Sequence, residues 1–138
     1  MKKIWKFLII SILIISCRED EKNFLPTHNG GGYTITKLYN SKLKKEDSVL
    51  ITGTVTPINK MSMNPITTVK FGCTSISSST GQYKIKTDPA SLPYQFSCLS
   101  LGYLTIETAP IHLLSGDSII IHFVVDEDKR PIINCEYQ

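Results

Sequence analysis

No apolar run in this 138-residue sequence is long enough to cross a bilayer, since the greasiest stretch spans only about a dozen residues against the ~20 a spanning helix needs. Tryptophan occurs once, as Trp5, and arginine twice, as Arg18 and Arg130. Of the three histidines, His28, His112 and His122, none has a Glu or His three or four residues on, so the common zinc spacings are missing. Neither a Gly-x-Ser-x-Gly elbow nor a phosphate-cradling glycine loop occurs, which leaves hydrolase and nucleotide-dependent chemistry without a motif. Charge of one sign is scarce as well. Lys2, Lys3 and Lys6 are the only charged side chains in residues 1–16, and the remainder carries 12 basic against 12 acidic side chains. A net-neutral chain without a Lys/Arg cluster offers a polyanion no footprint, so nucleic acid is not an expected partner. At 41% hydrophobic and 20% charged, the composition is that of one ordinary globular domain.

The N-terminus, MKKIWKFLIISILIISC, places three lysines before an apolar stretch from Phe7 to Ile15 that only Ser11 interrupts. Its isoleucines and leucines face every direction of a helix, which excludes a buried amphipathic helix and suits the core of a secretory signal. Ile14-Ile15-Ser16-Cys17 resembles the lipobox of bacterial lipoproteins. That resemblance implies residues 1–16 as a cleaved signal peptide and a diacylglycerol thioether on Cys17. Two or more acyl chains hold a protein firmly, at ~0.8 kcal/mol per buried CH2, so the expected membrane contact is lipid on Cys17.

Glu19-Asp20-Glu21 follow at once, and are similar to the surface-export signals of lipoproteins in some outer-membrane-bearing bacteria. They imply an outer-membrane lipoprotein on the cell surface; the alternative is a solvated spacer on a periplasmic-facing lipoprotein. Pro26 and Gly30-Gly31-Gly32 interrupt regular structure, Tyr33 to Thr36 alternate as a short strand would, and Lys42 to Asp47 are a charged break. Residues 17–47 are therefore expected to be a lipidated N-terminus and flexible tether, with the folded domain over 48–138.

From Ser48 on, the hydrophobic period is two. Val49, Ile51, Gly53 and Val55 share one strand face; Val69, Phe71 and Cys73 share another; Tyr83, Ile85 and Thr87 oppose Lys84 and Lys86. Tyr94, Phe96 and Cys98 alternate, then Leu104 and Ile106. Ile119, Ile121, Phe123 and Val125 form the most apolar face, and the reverse face of Ile120, His122 and Val124 predicts a central strand. Ile132 to Glu136 add a last candidate. About seven short strands with turn signals every 8–12 residues predict an all-β, antiparallel sandwich. Gly53 inside a strand predicts a close backbone approach, and Gly81 a tight turn.

Ile51-Thr52-Gly53-Thr54-Val55, Pro65-Ile66-Thr67-Thr68-Val69-Lys70-Phe71, Gly81-Gln82-Tyr83-Lys84-Ile85 and Gly102-Tyr103 follow one another in an order that resembles carboxypeptidase-regulatory-like domains. Ser78 stands where a turn acid is usual before Gly81, and Thr56-Pro57 where Thr-Asp or Val-Asp is usual. The resemblance implies a seven-stranded prealbumin-like sandwich, a domain that also occurs as a solo lipoprotein. The prealbumin fold also hosts hydroxyisourate hydrolases, but their Tyr-Arg-Gly-Ser ending has no counterpart in Cys135-Glu136-Tyr137-Gln138.

With Cys17 assigned to lipid, Cys73, Cys98 and Cys135 remain. Cys73 and Cys98 both fall on apolar strand faces, which leaves two readings: a disulfide between them, or two small buried hydrophobes. Asp126-Glu127-Asp128 read as a solvated turn, because three successive acids cannot all point at one cation. Neither a cofactor nor a metal is expected. The function expected is a non-catalytic interaction or assembly module whose partner is an outer-membrane or envelope protein. A small-ligand or glycan-binding lipoprotein is the alternative, and a cluster of exposed tyrosines would favour it.

Overall fold

The structure, a computed structural model, describes residues 23–28, 30–59 and 65–130. Among these the chain forms nine strands and one short helix: β1 (Phe24–Pro26), β2 (Gly32–Tyr39), α1 (Ser41–Lys45), β3 (Val49–Pro57), β4 (Thr67–Phe71), β5 (Thr74–Ser78), β6 (Gln82–Thr87), β7 (Phe96–Ser100), β8 (Ile106–Glu107) and β9 (Asp117–Val125). They make a five-stranded sheet, ordered β1-β2-β9-β3-β6, and a four-stranded sheet, ordered β5-β4-β7-β8. The all-β expectation holds, while the strand count is nine rather than seven. The candidate strand over Ile132–Glu136 lies outside the described residues.

Alternation builds the core. Val49, Ile51 and Val55 of β3 and Ile119, Ile121, Phe123 and Val125 of β9 are at most 1% exposed, whereas their strand neighbours are half-buried or exposed. The second sheet answers with Val69, Phe71, Phe96, Cys98 and Ile106. Phe71 stacks on Phe96 at a centroid distance of 4.8 Å, and Phe123 lies 6.4 Å from the rings of both Tyr33 and Tyr83. Each such side chain contributes about 1.5–3 kcal/mol of burial. As expected, β9 is the central strand, flanked by β2 and β3.

Three features depart from the sequence expectations. First, the pairing is not wholly antiparallel: β3 and β9 run parallel, from Leu50 opposite Ser118 to Pro57 opposite Val125. The chain between them crosses to the other sheet and back, so it can return in the same direction.

Second, the described part of the expected tether over residues 17–47, residues 23–28 and 30–47, is largely folded. Strand β2 pairs antiparallel with β9 over eight positions, from Gly32 opposite Val124 to Tyr39 opposite Asp117, and β1 pairs with β2. Gly30 and Gly31 form the turn between them instead of a flexible link. Tyr33 enters the core at 5% exposure, and its hydroxyl accepts a hydrogen bond from the Ala109 N–H at 2.8 Å. The charged break contains α1. Its N-cap, Asn40, accepts from the Lys42 and Leu43 amides at 2.9 and 3.3 Å, and Leu43 is buried beneath it.

Third, the strand expected to reach Cys73 stops at Phe71. Gly72, at φ +52°, turns the chain, and β5 returns along β4. A left-handed φ is where glycine has no steric penalty, so this turn ends the strand locally.

Candidate binding surfaces

Gly53 of β3 and Tyr83 of β6 meet in the middle of the five-stranded sheet. Strand β3 lies between β6 and β9, and Gly53 sits opposite both Tyr83 and Ile121. The Tyr83 ring passes over Gly53, and its hydroxyl donates to the Ile121 carbonyl at 2.7 Å. A Cβ on Gly53 would strike that carbonyl and the hydroxyl together. Gly53 therefore makes the close approach expected of it, and this strand-spanning contact ties three strands at one level. Burial, with the Cys98 thiol nearby, pushes the Tyr83 hydroxyl well above its ordinary pKa, so it stays protonated and works as a donor.

On the opposite face of the same sheet, a shallow depression of about 440 Å³ is lined by Thr52, Thr54, Gln82, Lys84, Ile120 and His122. His122 Nδ1 lies 2.9 Å from the Thr54 hydroxyl across the β3–β9 ladder. This is the hydrogen-bonded sheet-face histidine expected from its apolar strand neighbours.

A second depression, of about 460 Å³, opens between the sheets where the β1–β2 turn faces β7 and β8. Exposed His28, Gln95, Thr105 and Glu107 surround it, and Tyr33 forms part of its wall. The volume is within the range of small-ligand clefts, and its lining mixes donors and acceptors. Sequence reading missed this cleft because His28 and Tyr33 fell in the expected tether, and Glu107 is distant from both in the chain.

The other candidate residues are dispersed. Cys73 is exposed in the β4–β5 turn, Cys98 is buried on β7, and both are free thiols, so the disulfide reading is corrected. Gly72 is the cause, because it carries Cys73 out of the strand face that would have pointed it inward. Burial pushes the Cys98 thiol up to about 12. His112 is exposed in the segment before β9. Asp126, Glu127 and Asp128 do not form the expected turn but run beside Gly102–Leu104, with Tyr103 bridged to Glu127 and the Asp128 amide donating to the Gly102 carbonyl; Arg130 donates to both carboxylate oxygens of Asp128, which holds the Asp128 carboxyl down at about 2. Among the described residues no group of three or more His, Cys, Asp or Glu side chains is placed to hold a metal ion. The tyrosines do not form a platform: Tyr33 and Tyr83 are in the core, Tyr94 and Tyr103 pack against it, and Tyr39 alone is strongly exposed among those described. Cys17 and Tyr137 lie outside the described residues.

No family model matches this chain, and neither a curated protein nor a solved structure matches it.

Proposed function

We propose that this chain is a lipoprotein anchored in the outer membrane through acylated Cys17, and that its β-sandwich, of the prealbumin-like kind, is a non-catalytic interaction or assembly module of the cell envelope. One observation supports the non-catalytic part: three side chains able to do chemistry, Cys98, Tyr83 and His122, are held in structural roles. The Cys98 thiol is buried and kept protonated, the Tyr83 hydroxyl is committed to the Ile121 carbonyl, and His122 bonds Thr54 on a sheet face. Nucleophilic catalysis needs the opposite arrangement, a thiolate or hydroxyl beside a base in an accessible site. The anchor is supported by the lipobox-like Ile14-Ile15-Ser16-Cys17 at the end of the apolar stretch.

Metabolic labelling with a palmitate analogue, followed by membrane fractionation, tests the anchor. Labelled, membrane-bound wild type and an unlabelled, released Cys17→Ser chain are expected. A Cys17→Ser chain that stays labelled and membrane-bound would defeat the lipoprotein reading.

The polar cleft beside Tyr33 favours the second reading, a small polar ligand or glycan. A thermal-shift screen with mono- and oligosaccharides checks it. A saturable shift lost in Glu107→Ala/Gln95→Ala would make the cleft the binding site.

A further inference from the structure

We infer that the end of the sandwich bearing Tyr39, α1 and Leu114 rests against an anionic lipid surface, the opposite end pointing away from it. This rests on the lipid-anchor reading of Cys17 and adds an orientation to it. Strand β1 runs antiparallel to β2, with Phe24 opposite Thr34 and Pro26 opposite Gly32, so the chain enters β1 from the Tyr39 end of β2. Only residues 18–23 separate Cys17 from Phe24. Seven Cα steps span at most about 25 Å. The five strand steps from Thr34 to Tyr39 cover about 17 Å. An anchor following the direction of β1 thus reaches the bilayer just past Tyr39, and an anchor turning back could lift the domain no further than the same 25 Å or so.

The two ends differ in what they would present to lipid. At the Tyr39 end Leu38, Tyr39, Leu92 and Leu114 are 53%, 71%, 73% and 56% exposed. They share that end because Asn40 bonds Gly116, and the segment carrying Leu92 runs beside Ile111 and Leu113 through the Ala90 and Tyr94 amides. Lysines surround them. Lys37 and Lys86 are paired with Asp117 and Glu46, while α1 adds Lys42, Lys44 and Lys45 against Asp47 after the helix and Asp88 after β6, a surplus of positive charge among the described residues. Exposed apolar side chains and a tyrosine among lysines suit the headgroup boundary, where long amine stems let the charge stay wet. The far end also exposes apolar groups, Ile58, Ile66 and Leu101, but among its described residues it carries Asp126, Glu127 and Asp128 against Lys129 and Arg130. That surplus is negative, and anionic headgroups repel it.

The test uses the full chain, purified lipidated from membranes in a Trp5→Phe background. It is reconstituted into vesicles of phosphatidylethanolamine and phosphatidylglycerol that contain brominated acyl chains. Single reporters are placed at Tyr39→Trp, Leu92→Trp and, at the far end, Leu101→Trp. Emission from the first two should shift to the blue and fall by about half, as for aromatic side chains seated at headgroup depth. The Leu101→Trp emission should match its value in unbrominated vesicles. Lys42→Glu/Lys44→Glu/Lys45→Glu should abolish the difference while the protein remains vesicle-bound. Equal quenching at both ends, or stronger quenching at Leu101→Trp, in protein that floats with vesicles and carries acyl label, overturns the orientation and leaves the anchor standing. Protein from the same preparation that neither labels nor floats overturns the anchor, and the orientation falls with it.

Discussion

Cys98 and Gly53 show how single residues set measurable properties of this fold. An unfolded chain releases the Cys98 proton near pH 9, whereas the buried thiol holds it to about 12. Below pH 9 both states keep the proton and this group leaves stability unchanged. Between the two values only the unfolded chain ionises, so stability falls by up to about 1.4 kcal/mol per pH unit. Tyr83 acts in the same direction, since burial raises it too. Urea denaturation at pH 8 and pH 10.5 should show this alkaline loss, and Cys98→Ala should flatten the slope even though it lowers stability at pH 8. An unchanged slope would mean that the thiol is not protected as described. Gly53→Ala is a sharper perturbation. Its methyl group would displace the Ile121 carbonyl and the Tyr83 hydroxyl together, and a loss above about 3 kcal/mol is expected by calorimetry or denaturant midpoint. Tyr83→Phe in the Gly53→Ala background should recover part of that loss by removing one of the two clashing groups.

Strands β1 and β2 matter most at the level of elements, because Pro26, the glycines and the charged break placed them outside the expected domain. Strand β2 covers one whole side of β9 and contributes Tyr33 to the core. A fragment of residues 46–138 would leave β9 with an open edge and Phe123 without the Tyr33 ring. Circular dichroism and a thermal melt should therefore show a cooperative fold for residues 23–138 and none, or aggregation, for 46–138. If the shorter fragment melts as cooperatively as the longer one, β2 is an accessory strand. The α1 cap is a smaller effect of the same kind: Asn40→Ala frees two amides and should cost about 1 kcal/mol.

For the molecule as a whole, the proposed lipid anchor makes a testable choice between the two faces of the outer membrane. Glu19, Asp20 and Glu21 stand between the proposed acylation site and a first strand that begins at Phe24, so the proposed sorting segment and that strand are separated by only Lys22 and Asn23. We expect proteinase added to intact cells to degrade the domain. Glu19→Ala/Asp20→Ala/Glu21→Ala should protect it by retaining it on the periplasmic face. Resistance of the wild type until the cells are lysed would assign the periplasmic face instead. Surface ion pairs such as Lys86–Glu46 and Arg130–Asp128 are exposed and contribute little to stability, so raised salt during these assays should leave the fold intact.

What the sequence determined by itself was local. Period-two alternation from Val49 onward specified strands, the inward set Val49, Ile51, Val55, Ile119, Ile121, Phe123 and Val125, and the central place of β9, because alternation depends only on neighbouring residues and on the burial of both faces. Gly53 was legible as a close approach for the same reason, since a glycine inside a strand has few other uses. Partner choice is not local, and the tertiary structure alone decided it. Gly30 and Gly31 are compatible with a tether or with a turn, and only the apolar edge of β9 makes the turn worth its backbone entropy. One glycine, Gly72, moved Cys73 from the core face into solvent and so removed the disulfide. The cleft between His28, Tyr33 and Glu107 exists only because β1 and β2 fold back beside β8, which places residues about 75 apart in sequence on one rim; no periodicity within any segment encodes that meeting.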